Sequence, residues 1–202
     1  SIPQIHVDHV VAVDTIGDPE GIGFGALRMT KDPVQLMLAK QAAEVFVRSA
    51  YFKEGFSVQM GGGGASMAFQ KYVKEAMIRK DMKASFGIGG GTGLFLDMMK
   101  EGFFEAFYDT QTFDIRSAHF MKENPNHIEI SASFYANPHH PGPIVNDLDV
   151  VFLAATEVDL DFNVNVITNS NGLFMGASGG HSDTAAGAKM SVIVVPLIRG
   201  RL

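Results

Sequence analysis

The stretch Gly176-Ala-Ser-Gly-Gly-His-Ser-Asp-Thr-Ala-Ala-Gly-Ala-Lys189 lies between a strand-like run, Phe162 to Thr168, and an apolar one, Ser191-Val-Ile-Val-Val-Pro196. A glycine-rich turn in that setting lets backbone N–H groups approach an anion or a polarised carbonyl with no Cβ in the way. Two further glycine runs occur upstream. Gly61-Gly-Gly-Gly-Ala-Ser66 follows the short strand Phe56 to Met60 and precedes a helix read from Ser66 to Lys80. Gly89-Gly-Gly-Thr-Gly93 follows the strand Ala84 to Ile88 and precedes a helix to about Lys100.

The rest of the chain fits the same alternation. Asp32-Pro33 supplies an N-cap and first-turn proline for a helix to about Ala50, striped by Leu36, Ala39, Ala43, Phe46 and Val47. Val7 to Val13, Phe104 to Tyr108 and Asp149 to Ala154 read as strands, and residues 114–124 as a helix. Three prolines make Asn137-Pro-His-His-Pro-Gly-Pro143 an irregular loop. Strands alternating with helices predict one α/β domain over residues 1–202: a mostly parallel sheet with helices on both faces. Ligands in such sheets bind at the carboxyl ends of the strands, where all three glycine loops fall.

Composition narrows the function. The 202 residues carry a net charge of −6 with no basic run, which argues against a nucleic-acid surface. The absence of cysteine excludes disulfides, thiolate metal sites and a Cys nucleophile, and fits a reducing, cytoplasmic setting. No apolar run approaches the ~18 residues of a membrane span, and Ser1-Ile-Pro-Gln lacks a signal-peptide pattern. The chain stops at Arg199-Gly-Arg-Leu202 just after a core-type strand, so it is expected to be truncated from something longer, with an exposed sheet edge and an oligomeric habit.

Each candidate site has a plainer reading. Neither glycine loop matches Gly-x-x-x-x-Gly-Lys-Ser/Thr or a clean Gly-x-Gly-x-x-Gly, since position 66 is Ser and position 92 is Thr. Four consecutive glycines are entropically wasteful in a mere turn, so a ligand role is favoured. Ser178, His181 and Asp183 have triad residue types but sit too close together in one turn to converge. His6 and His9 point to opposite faces of a strand, His139-His140 reads as a solvated pair, and Glu157, Asp159 and Asp161 as a solvated edge; no metal site is expected. The 16 Phe and 11 Met residues read as packing.

Gly176-Ala-Ser-Gly-Gly-His-Ser-Asp-Thr-Ala-Ala-Gly-Ala resembles the alpha-subunit family of citrate lyase, the citrate coenzyme A-transferase component. Ile16-Gly-Asp-Pro-Glu-Gly-Ile22, Asn124-Pro-Asn-His-Ile-Glu-Ile130, Glu157-Val-Asp, Phe162-Asn-Val-Asn-Val166 and Pro196-Leu-Ile-Arg-Gly-Arg201 resemble it too, so the likeness spans the chain. It implies the second of two coenzyme A-transferase-type α/β halves, of the fold shared with sugar-phosphate isomerases. It also implies exchange of acetate for citrate on the thioester of an acyl carrier protein. The phosphoribosyl-dephospho-CoA arm of that carrier (gamma) subunit is the only cofactor, and a beta subunit cleaves the citryl product.

On that resemblance Gly62, Gly63, Gly64 and Ala65 are assigned as oxyanion donors. Gly179, Gly180, His181, Ser182 and Asp183 are assigned to the carrier arm, and Gly89, Gly90, Gly91 and Asn165 to substrate or coenzyme A binding. Many coenzyme A-transferases carry a Ser-Glu-Asn-Gly motif whose glutamate is acylated, and the matching strand end here reads Tyr108-Asp109-Thr110-Gln111. That departure fits direct transfer between substrates, with Asp109 and Gln111 lining the site and Asp109 as nucleophile the open alternative. Citrate is a trianion, for which Arg116, His181 and Arg199 are the expected partners. Two other readings stay open: a non-catalytic half that binds the arm or mediates assembly, and a sugar-phosphate isomerase or sensor.

Overall fold

The computed structural model describes residue 2 and residues 4–18, 28–175 and 178–197. Asp32 opens the first helix, α1 (Pro33–Arg48), by accepting from the Val34 N–H at 3.0 Å. Ala39, Ala42, Ala43 and Phe46 form its buried face. Strand β1 (Phe56–Met60) is buried at every position, as a central parallel strand covered on both faces must be. It runs into α2 (Gly64–Lys80), which ends on Asp81 in the left-handed region at φ 50°. Then follow β2 (Ala84–Gly91), α3 (Gly93–Lys100), β3 (Phe104–Thr112), α4 (Ile115–Glu123), β4 (His127–Glu129) and α5 (Ala132–Ala136). Side chains of Thr92, Asp114 and Ser131 cap α3, α4 and α5. The chain returns through β5 (Val150–Ala154), a small hairpin of β6 (Glu157–Val158) and β7 (Val164–Asn165), α6 (His181–Gly187) and β8 (Met190–Val194).

The six-stranded sheet runs in the order β4-β3-β2-β1-β5-β8 and every pair in it is parallel. The first four strands step outward in one direction, and β5 then pairs with the free side of β1. The strand order therefore reverses between β1 and β5, which opens a crevice at their carboxyl ends. On one face a phenylalanine-rich core packs under α1, α2 and α3: Phe69 stacks on Phe152 at 4.2 Å, and Phe46 meets Phe52 and Phe56 edge-on at 5.1 and 5.3 Å. On the other, Ile88, Leu148, Val151 and Leu153 pack with Tyr135 and Val145. Helices thus cover both faces, as expected.

Four local expectations are corrected. Val7–Val13 is not a strand: it has no ladder partner among the described residues, and Val10 and Val11 are 87% and 80% exposed. The run from Phe162 to Thr168 yields only the two residues of β7, because Phe162 at its start adopts φ 64° and the Asn165 side chain turns the chain at its end by accepting from the Ile167 and Thr168 N–H groups. Strands β2 and β3 continue three and four residues past their expected ends, through the second glycine run to Gly91 and to Thr112. Strand β4 and helix α5, too short to show a periodicity, fill the segment after Asn126.

Candidate functional site

A cleft of about 460 Å³ lies at the crevice between β1 and β5. Gln59 to Gly62 enter from the end of β1, Gly89 and Gly90 from β2, Thr110 and Gln111 from β3, Phe113 from just beyond it, and Leu153 from β5. Tyr135 of α5 and the turn Ser178–His181 close it. Three glycine runs that are well separated in sequence thus meet at one place, the second of them as the end of strand β2 and not as a loop.

The glycines serve different ends. A Cβ at Gly90 would fall 1.8 Å from the Phe113 ring, so that ring lies directly over the strand. Gly89 holds φ +118° against the Gln59 side chain, a conformation L side chains rarely adopt. Gly64 is wedged against the backbone of Arg28 and Thr30, whereas a Cβ at Gly63 would meet nothing within 4 Å among the described residues. Gly63 is the N-cap of α2 and provides no side-chain acceptor, so it leaves the first-turn N–H groups at the end of β1 without a side-chain cap.

A buried polar chain fixes the floor. The Tyr135 hydroxyl donates to Gln59 Oε1 at 2.8 Å, Gln59 Nε2 donates to Thr184 Oγ1 at 3.4 Å, and Thr184 Oγ1 donates to the Gly180 carbonyl at 2.7 Å. Burial pushes the Tyr135 hydroxyl up to about 12, against the opposing pull of its Gln59 and Thr184 hydrogen bonds, so it stays a donor across the physiological range. His181 Nε2 lies 3.0 Å from the Ala154 carbonyl. A carbonyl only accepts, which places the ring proton on Nε2 and leaves Nδ1 as an acceptor.

Burial lowers the His181 pKa from its ordinary 6.5, so the ring is neutral near pH 7. As pH falls the unfolded chain takes up this proton first. The stability contributed is therefore present above about pH 6.5 and lost on acidification. His181→Gln is expected to lessen the drop in melting temperature between about pH 7.5 and 5.5. Equal drops in both proteins would exclude His181 as a source of acid sensitivity.

Of the residues expected at the site, Gly62, Gly89, Gly90, Gln111, Gly179, Gly180 and His181 line this cleft. Gly63, Gly64 and Ala65 form the cap and first turn of α2 beside it. Others do not reach it. Asp109, expected at the wall, is 1% exposed and sealed beneath it against His127, and Gly91 is buried next to that carboxylate. Arg116 pairs with Asp97 at 2.5 Å on the surface. Asn165 and Ser182 line a neighbouring cavity of about 280 Å³, where Asn165 Nδ2 is occupied by Glu157 and Thr168. Asp183 faces a third cavity, beside α5. Asp183 therefore faces away from Ser178 and His181, which share the cleft, and the His181 ring bonds backbone instead of either neighbour. Arg199 lies outside the described residues.

Sequence reasoning does not assign Gln59, Tyr135, Thr110 and Phe113 to the site. A glutamine inside the apolar strand Phe56–Met60, just ahead of four glycines, is a usable signal for Gln59. Tyr135 has none, because only the packing of α5 over the sheet brings it to Gly180. Among the described lining residues there is no Asp, Glu, Lys or Arg.

The fold and this cleft define an α/β unit of the coenzyme A-transferase-like kind. The family described as citrate lyase, alpha subunit (CitF) matches residues 1–202, and the chain belongs to that family. It is 51% identical over its full length to the citrate lyase alpha chain of Klebsiella pneumoniae and 50% identical to that of Escherichia coli. It spans 40% of the length of each. A solved alpha subunit of citrate lyase from Streptococcus mutans, in complex with citrate, matches with a TM-score of 0.90 at 49% identity over 98% of this chain and 39% of its own. A solved mutant form of RipA, 18% identical with a TM-score of 0.64 over 85% of this chain and 39% of its own, shares the fold.

Proposed function

We propose that this chain provides the citrate- and thioester-binding α/β unit of the citrate coenzyme A-transferase component of citrate lyase. The observation that carries the reading is the make-up of the cleft: glycine-loop N–H groups, two carboxamides and a neutral histidine, with no carboxylate or amine nucleophile among its described lining residues. Such a surface can hold a carboxylate and an oxyanion but offers no side-chain carboxylate to acylate, which supports direct transfer. The citrate-bound relative with the same fold favours citrate as the acid. A sugar-phosphate isomerase would need a carboxylate base where none stands among those residues.

In the scheme, a citrate carboxylate oxygen attacks the acetyl thioester carbonyl, and the thiolate leaves with the C–S electron pair. A mixed acetyl–citryl anhydride forms. The thiolate then attacks the citryl carbonyl and acetate departs, leaving a citryl thioester. Both additions place negative charge on a carbonyl oxygen. Backbone N–H groups of the Gly61–Gly64 loop stabilise it, each worth about 10²–10³ in rate. Gln59 and Gln111 orient the carboxylates by hydrogen bonding, and Gly179 to His181 hold the thioester arm. The thioester arrives as substrate on the coenzyme A-derived arm of an acyl carrier (gamma) subunit, and a beta subunit consumes the citryl product. The oligomer they form is the setting of the reaction.

Acetate release from acetyl-CoA plus citrate by the chain tests this, beside a Gln111→Ala variant expected to be about tenfold slower. Citrate binding without acetate release would assign this unit to binding and the chemistry to the rest of the longer protein. Neither binding nor release would sink the reading.

A further inference from the structure

Beneath the cleft, strand β3 carries a bulge. Gly89 of β2 pairs with Asp109, yet the next residue, Gly90, pairs with Gln111, so Thr110 is the extra residue. In a regular strand successive side chains point to opposite faces. Here both Thr110 and Gln111 line the cleft, because the bulge re-aims one of them. The Thr110 hydroxyl donates to the Gly89 carbonyl at 3.1 Å and so is tied to the bulge itself.

A bulge leaves backbone amides without their regular ladder partners, and this one is closed by a single carboxylate. Asp109 Oδ1 accepts from the Gln111 N–H at 3.0 Å and, across the strand boundary, from the Gly91 N–H at 3.2 Å. Asp109 Oδ2 is held from behind by His127 Nε2 at 2.8 Å and by the Ser117 hydroxyl at 3.3 Å. The Asp109 and His127 side chains are both 0% exposed. His127 Nδ1 has no hydrogen-bond partner among the described residues, so the Asp109 contact is the polar bond that fixes the ring. The ring is steadied further by Phe107 and Phe120, at 5.2 and 5.8 Å between centroids. Gly91 must be glycine for this packing, since a Cβ there would lie 2.0 Å from Ser117 Oγ and 2.5 Å from Asp109 Oδ2.

We infer that Asp109, braced by His127 and Ser117, is a positioning residue that locks the β3 bulge and thereby delivers Thr110 and Gln111 together into the cleft. The contribution of that lock to ligand binding rests on the citrate reading above. The lock itself does not.

The test uses the whole chain and two readouts. Backbone amide exchange followed by NMR in Asp109→Ala is expected to accelerate at Gly91 and Gln111 by at least about tenfold relative to Phe86 and Phe107, which share the same strands. Uniform acceleration, or none, overturns the lock. If Asp109→Ala does not fold, Ser117→Ala decides: selective acceleration at Gln111 of about twofold or more supports the lock, and unchanged exchange overturns it.

The second readout is a citrate-affinity cycle by calorimetry. Asp109→Ala and Gln111→Ala should each weaken binding by about tenfold, and the double variant also by about tenfold. An additive, roughly hundredfold loss would mean that Asp109 does not act through Gln111. If the wild-type chain binds no citrate, the functional reading fails, and the exchange result still decides the lock.

Discussion

Gly87→Ala should destabilise this domain by about 1–2 kcal/mol and lower its melting temperature by about 2–8 °C. Gly87 lies in the middle of β2, where a Cβ would sit 2.1 Å from Phe95 Cζ and 2.7 Å from its Cε2. A clash with a flexible side-chain end costs little, because the end swings away. Phe95 cannot: it is 3% exposed, and its ring is held by Phe104 and Phe107 at centroid distances of 4.4 and 4.5 Å. Alanine gains about 0.4–1 kcal/mol by restricting the unfolded chain. Overpacking of about 1–3 kcal/mol or more, against a ring with nowhere to go, outweighs that gain. Adding Phe95→Leu to the variant should recover part of the loss by removing the ring. Thermal melts of the three proteins check this, and a Gly87→Ala variant as stable as wild type would mean that the ring has room to move.

Gly180→Ala should weaken citrate binding by roughly 30-fold or more while leaving the sheet folded. A Cβ at this position would lie 2.3 Å from Tyr135 Cε1 and 3.0 Å from its hydroxyl oxygen. The Tyr135 ring is only 9% exposed and its hydroxyl is committed to Gln59. Relief therefore comes from the turn, which lifts off the ring, strains the Thr184–Gly180 bond and carries His181 away from Ala154. Each of those movements deforms the mouth of the cleft. Gly179→Ala is the matched control: a Cβ there meets nothing within 4 Å among the described residues, and its φ of +54° costs an L residue about 1 kcal/mol of stability, with a smaller loss of affinity. Calorimetry should rank the two losses clearly, with Gly180→Ala the larger. Equal losses would mean that the turn is not seated on Tyr135.

Local signals carry much of the architecture. Asp32-Pro33 announces α1, the apolar run Val150–Leu153 announces a buried parallel strand, and the glycine runs announce the carboxyl ends of strands. Position along the chain puts Ser182, Asp183 and Asn165 beside the right loop, yet they face other cavities: helix α6 turns about 100° per residue, and the β6–β7 hairpin stands apart from the sheet. Arg116 has the charge citrate would want, but Asp97, 19 residues earlier in the chain, already holds it. The strand-like pattern of Val7–Val13 has no partner among the described residues to complete it, since a ladder belongs to two segments and only one is visible in a local pattern.

Periodicity, capping and short motifs were thus enough for the alternation of strands and helices that implies a parallel sheet with helical cover, for the family and for the glycine runs at the site, because each of these signals is written within one segment. Long-range packing alone sealed Asp109 under the cleft, made Tyr135 and Gln59 its floor, and brought Thr110 and Gln111 into it side by side. A β-bulge reverses the alternation by which sequence assigns a residue to a face. This one is fixed by a carboxylate whose partners lie on β2, β3, α4 and β4, an arrangement that no single segment encodes.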